Sequence, residues 1–161
     1  MITKDTEEAI IKYLEYRDGK LYWKNRTGTA TGINGKEAGG PHTYGYRRIR
    51  INYTLLKTHR VIFFMHHGYW PKYIDHINRV TDDNRIENLR ECTQAENARN
   101  SYQPNELGRN ISFHKSTNKY RVHLMVNYKQ LHFGLFENLE DAKEAAKKAR
   151  KQHFGEFNYD Y

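Results

Sequence analysis

A single cysteine, Cys92, stands in 161 residues, which excludes both a disulfide framework and a cysteine-based zinc finger. Apolar material is scarce as well. With 37% hydrophobic residues and a mean hydropathy of −1.00, the chain lacks the means to fill a large core, so small modules are expected. No run approaches the ~18 apolar residues of a membrane span, and Met1-Ile2-Thr3-Lys4-Asp5 leads into no apolar signal region. A soluble, intracellular protein without membrane or disulfide-linked partners is therefore expected. No heptad or extended apolar helix face announces a dimer, so a monomer is expected. Acidic residues are missing from two long stretches. None lies between Glu37 and Asp75, where Arg47, Arg48, Arg50, Lys57, Arg60 and Lys72 fall. None lies between Glu106 and Glu137, where Arg109, Lys115, Lys119, Arg121 and Lys129 fall with three histidines. A net charge of +8 and a pI near 9.5 suggest a polyanionic partner, and the two basic stretches flank the segment between them.

The periodicities are those of an α+β chain. Asp5 is expected to cap a short helix through about Leu14, and Asp18-Gly19 to turn the chain into a strand at Lys20–Trp23. Gly28, Gly32, Gly35, Gly39 and Gly40 mark residues 27–40 as a loop. From Tyr46 to Tyr53 the pattern alternates, with Ile49 and Ile51 on one face and Arg48, Arg50 and Asn52 on the other. Thr58 is expected to cap a helix that Gly68 closes, with Ile62, Phe63 and His66 on its buried face. A strand near Tyr73–His76, a long turn through Asp82-Asp83-Asn84, a second strand and a helix follow. Thr93-Gln94-Ala95-Glu96 has the form of a capping box at that helix. After a linker at 104–108, the chain reads as strands Asn110–Phe113, Lys119–Asn127 and Lys129–Phe136. A helix capped by Asn138 follows, with Ala142, Ala145, Ala146 and Ala149 as a stripe of small residues.

The chemistry concentrates between Asp75 and Asn100. Asp75-His76-Ile77-Asn78 places a hard carboxylate beside an imidazole; Asn84-Arg85-Ile86-Glu87-Asn88-Leu89-Arg90 and then Glu96-Asn97 bring carboxamides back at fixed distances. A carboxylate oxygen suits a hard divalent ion, and an imidazole titrating near neutrality suits proton abstraction from water. Adjacent strand residues point to opposite faces, so Asp75 and His76 can share a site only where the strand ends or bends. Alone, Asn97 would read as a surface helix residue and Asn88 as a turn residue. No Ser/His/Asp motif is present, and the histidine spacing does not offer a zinc site.

This segment resembles the active site of HNH endonucleases, and more narrowly the phage homing endonucleases that carry Asn where the family's last His usually stands. The resemblance implies a ββα-metal nuclease core with N-terminal antiparallel strands over residues 1–103. Asp75 and Asn97 would hold one Mg²⁺ or Mn²⁺ ion per site, His76 would act as general base, and Asn88 would tie the turn near the His76 backbone. His59 aligns with a His-Arg pair common in the family, in a packing or phosphate-contact role. The activity implied is site-directed hydrolysis of double-stranded DNA, with nicking of one strand expected from one site in a monomer. A bacterial host cytoplasm is the implied location. Residues 108–158, with His132-Phe133-Gly134-Leu135-Phe136, the alanine stripe and Phe154-Gly155-Glu156-Phe157, resemble the apetala-type DNA-binding domain of plant transcription factors. They imply a three-stranded sheet packed on one helix as a targeting module at 109–161. Arg48, Arg50, Asn52, Lys119, Arg121 and His123 are candidates for groove or phosphate contact, and Arg79 and Arg85 for the scissile phosphate. The alternatives are a DNA-binding protein on an inactive scaffold, which the intact Asp75, His76, Asn88 and Asn97 oppose, and a structural RNA-binding protein, which fits the charge alone.

Overall fold

The computed structural model describes residues 2–100 and 105–157. The chain forms two compact units, Met1–Gln94 and Ala95–Tyr161. Pro104 and the start of the linker expected at 104–108 lie outside the described residues. Among the described residues the fold is α+β, built on four small antiparallel sheets.

In the first unit, α1 (Lys4–Tyr13) is capped by Thr3 and not by Asp5. The Thr3 hydroxyl accepts from the Thr6 amide at 3.3 Å, and Asp5 sits in the first turn, where its charge suits the positive pole. Strands β1 (Leu14–Arg17) and β2 (Lys20–Trp23) form a hairpin. Asp18 and Gly19 both have positive φ, the geometry that a two-residue hairpin turn needs. β1 had no separate signal, because four residues with one buried position carry too little alternation to be read. The loop at 27–40 includes a 3₁₀ turn over Gly28–Ile33 and leads to a sheet of β3 (Gly40–Pro41), β4 (Arg47–Ile51) and β5 (Thr54–Lys57). Ile49 and Ile51 are buried, which leaves Arg48 and Arg50 on the other face. Asn52 is not on that strand. It has positive φ in the β4–β5 turn, and its amide donates to the Asp5 carbonyl at 3.1 Å.

Helix α2 (Thr58–His67) ends at Gly68 in the left-handed conformation. Its N-cap position is taken by Lys57, without a side-chain capping bond, and the Thr58 hydroxyl expected to cap is buried with no hydrogen-bond partner among the described residues. Val61, Ile62, Phe63 and Phe64 join Ile10, Leu14, Leu21, Ile49, Leu56, Ile74 and Leu89 in one core. His66 is exposed, contrary to expectation, with Nδ1 2.8 Å from the Ile62 carbonyl. Strands β6 (Tyr73–His76) and β7 (Leu89–Cys92) pair with Asp75 opposite Arg90 and His76 opposite Leu89. Helix α3 (Gln94–Asn100) starts at the last residue of this unit.

The second unit has β8 (Ile111–His114), β9 (Lys119–Val126) and β10 (Lys129–Phe136) in the order β10-β9-β8. Helix α4 (Leu139–Phe154) packs Ala142, Ala146 and Ala149 with Ile111, Val122 and Leu124, the close approach that small side chains permit. Asn138 caps it, accepting from the Asp141 amide at 2.8 Å.

Candidate active site

β6 delivers Asp75 and His76 as consecutive residues at its end, both about 5% exposed. Alternation along the strand gives them different neighbours. Across the ladder, Arg90 clasps Asp75, with Nε at 2.9 Å and Nη2 at 2.8 Å from the same oxygen, Oδ2. His76 instead meets Asn84, Nε2 to Oδ1 at 3.0 Å, and the rings of His59 and Tyr46. His59 stands edge-on to His76, with centroids 5.0 Å apart and planes at 84°.

The Asn84 amide is oriented by its own nitrogen, which donates to the Asp82 carbonyl at 3.3 Å and so turns the oxygen toward His76. An acceptor there selects the imidazole tautomer with its proton on Nε2 and its basic lone pair on Nδ1. Burial pushes the His76 imidazole below its ordinary value; the Asn84 bond, Asp75 and Asp83 act against that, and the charge of Lys57 adds to it. The outcome is a neutral ring at pH 7, the form that can accept a proton. His59 is pushed further, to about 3, first by burial and then by the charges of His76, Lys57 and Arg60.

The chain leaves the ladder at Ile77 and returns at Leu89, and Asn88 binds this loop together. Its carbonyl accepts from the Ile77 amide at 2.9 Å and its Oδ1 from the Asn78 amide at 3.0 Å. Its Nδ2 donates to the Asp83 carbonyl at 2.7 Å and to Asn78 Oδ1 at 2.9 Å. Arg85 is committed within the loop, with Nε and Nη2 each 2.8 Å from an oxygen of Asp83. That pairing holds the Asp83 carboxyl well below the usual carboxylate range. Two N-terminal elements brace the loop. The Tyr16 hydroxyl accepts from the Ile86 amide at 3.1 Å, and the Thr81 hydroxyl donates to the Tyr44 carbonyl at 2.9 Å. Gly19, at φ +80, lies so close that a Cβ there would stand 2.9 Å from the Arg85 amide nitrogen.

Of the other sequence-derived candidates, Arg48 and Arg50 share one face of β4, and Arg79 lies in the loop with positive φ. Asn97 stands on α3, and Lys119, Arg121 and His123 lie on the β9 face opposite the buried Val122 and Leu124. Lys119 is paired with Glu137 at 3.1 Å. Asn84, Arg90, Tyr16 and Gly19 carry no site role in the sequence reading. Asn84 looks like any turn residue until its burial is known, and Arg90 gains meaning only from the register that sets it opposite Asp75.

Residues 56–99 match the model of a family described as HNH endonuclease. The matched stretch contains Lys57, His59, Asp75, His76, Asn84, Asn88, Arg90 and Asn97, and it covers 44 of the 161 residues. β1 to β4 and the sheet of the second unit fall outside it. No curated protein and no solved structure matches the chain. The HNH match supports a nuclease acting on DNA, and the buried histidine with its carboxamide partner lies inside the matched stretch. No helix among the described residues is long and apolar enough to cross a membrane, and Cys92 is buried.

Proposed function

We propose that this chain is a divalent-metal-dependent, site-directed DNA endonuclease of the homing type. The observation that carries the reading is the bond between His76 Nε2 and Asn84 Oδ1 at the end of an HNH-matching strand. A buried, neutral imidazole with a fixed tautomer is equipped to take a proton from water. Asp75 supplies a hard carboxylate oxygen, which fits Mg²⁺ or Mn²⁺, ions that keep several waters and accept few protein ligands. Its pairing with Arg90 orients that carboxylate. Asn97 as the second oxygen ligand is what the resemblance to HNH endonucleases implies. When bound, the ion withdraws charge from a phosphoryl oxygen.

The chain's own groups do the rest. His76 accepts the proton of the attacking water on its basic ring nitrogen, and the new P–O bond forms as the bond to the 3′-oxygen breaks. That oxygen takes a proton from solvent, which leaves 5′-phosphate and 3′-hydroxyl ends. Asn88 holds the loop that positions Asn84. In this reading the core is of the ββα-metal type. Residues 109–161 form an apetala-type targeting module that reads DNA through Arg121 and His123, and Arg48 and Arg50 contact phosphates. One site per monomer nicks one strand. A bacterial host, with the chain encoded by a phage, is the setting that the homing resemblance implies. The test is a time course on supercoiled plasmid carrying the target, with Mg²⁺, with Mn²⁺ and with chelator. Open circles should accumulate before linear DNA and only with the ion. Intact plasmid under every condition would overturn the endonuclease reading, and immediate linear product would overturn nicking alone.

A further inference from the structure

Lys57 is a cation in an unfavourable place. It ends β5 and occupies the N-cap position of α2, a ten-residue helix with no acidic residue in its first turn and no side chain capping its amides. The positive pole of a helix repels a cation. Arg48 is directly opposite it across the β4–β5 ladder, and like charges so placed destabilise a sheet. Its ammonium, 4.5 Å from the centroid of the Tyr46 ring, makes no ion pair among the described residues. Beside it, the Thr58 hydroxyl and His59 Nδ1 are buried without hydrogen-bond partners, with the two residues 1% and 5% exposed.

Several neighbouring cations are answered. Arg90 is held by Asp75, Arg85 by Asp83, and Arg47 by Glu37 and Asp82; Arg60 donates to the carbonyls of Pro71 and Lys72. Lys57 is not, although it lies near enough for its charge to act on both His59 and His76. A lysine, a like charge opposite it and an uncapped helix N-terminus together make a positive centre beside the base, and a single anion would relieve all three at once.

We propose that Lys57 binds a non-bridging oxygen of the scissile phosphodiester at the N-terminus of α2, next to His76. This rests on the endonuclease reading. As water attacks phosphorus and gives its proton to His76, the bond to the 3′-oxygen breaks and negative charge builds on the phosphoryl oxygens. The Lys57 ammonium meets that charge without having to leave a carboxylate first.

The test uses the full chain with Lys57→Ala, Lys57→Gln and Lys57→Arg. With saturating protein and divalent ion, the two neutral variants should cut about 10²-fold more slowly in a single turnover, as for loss of one donor to a developing charge. Lys57→Arg should recover most of the rate. The slope of log affinity for duplex DNA on log salt should fall by about 0.9 in the neutral variants and stay unchanged in Lys57→Arg. Wild-type cutting by folded Lys57→Ala and Lys57→Gln would overturn the proposal. If the wild type itself never cuts, the endonuclease reading fails separately and the salt slope decides the phosphate contact, an unchanged slope overturning it. Should the neutral variants fail to fold, acetylation footprinting of the wild type answers the same question: duplex DNA should protect Lys57, and equal labelling with and without DNA would overturn the contact.

Discussion

In and beside the loop joining β6 to β7, Asp75, His76, Asn84 and Asn88 are each less than a tenth exposed, and each is bonded to a nearby polar side chain. On the outer face of β8 and β9 the polar side chains are kept differently. Ser112 Oγ, Arg121 Nε and His123 Nδ1 are shielded yet have no hydrogen-bond partner among the described residues. A shielded polar group without a partner costs roughly 1–3 kcal/mol, so the two regions spend stability in different ways. The first fixes the donors and acceptors of these four residues against one another, which holds the His76 tautomer and orientation, although Thr58 Oγ and His59 Nδ1 beside them have no partners among the described residues. The second keeps unspent hydrogen-bonding capacity beside cations, as a surface does when a polyanion completes it. In the proposed reading, chemistry uses the first arrangement and DNA recognition the second.

The sharpest way to break that contrast is His76→Ala. It should slow cutting by ~10²–10⁴-fold while leaving DNA affinity nearly unchanged, measured as a single-turnover rate against an equilibrium anisotropy titration. Wild-type cutting by this variant would remove the first region from the chemistry.

A smaller effect concerns stability. The unfolded chain protonates a histidine at about 6.5, whereas folded His59 resists until about 3. Between those values the unfolded state binds more protons, so stability is full above about 6.5 and falls as pH drops toward 3. Lowering pH from 7.5 to 5, a range where most carboxylates stay ionised, should cost about 2 kcal/mol from His59 alone. Calorimetric unfolding of the wild type and of His59→Asn across this range checks it. Equal pH dependence in both proteins would show that the buried neutral ring is not what sets it.

The mildest change is expected from the second region. Arg121→Ala should weaken duplex binding and lower the salt slope by about 0.9, with the single-turnover rate at saturating protein kept. An unchanged slope with a lost rate would reverse the division of labour between the two regions.

Much of the fold was legible because its signals are local. Gly68 closes α2, Asn138 caps α4, and strand β6 has the bounds that its pattern suggested. The failures were at positions where a local rule met a competing partner. Asp5 lost the cap to Thr3, two residues earlier, whose hydroxyl reached the Thr6 amide. Asn52 continued the alternation on paper, but the chain had already turned, and its amide found a carbonyl 47 residues away. His66 fell on an apolar helix yet faces out, because its ring nitrogen meets the Ile62 carbonyl one turn back.

Residue type and spacing alone determined that a carboxylate and an imidazole adjoin at a strand end, that carboxamides recur after them, and that basic stretches lie on both sides. Those are properties of covalent order, and nothing in folding can alter them. Only the tertiary structure decided which of these groups are buried, that Asn84 sets the His76 tautomer, that Arg90 clasps Asp75, and that Lys57 has no counter-charge among the described residues. Burial and pairing arise when segments distant in sequence meet. A group's protonation and charge balance depend on those meetings and not on its neighbours along the chain.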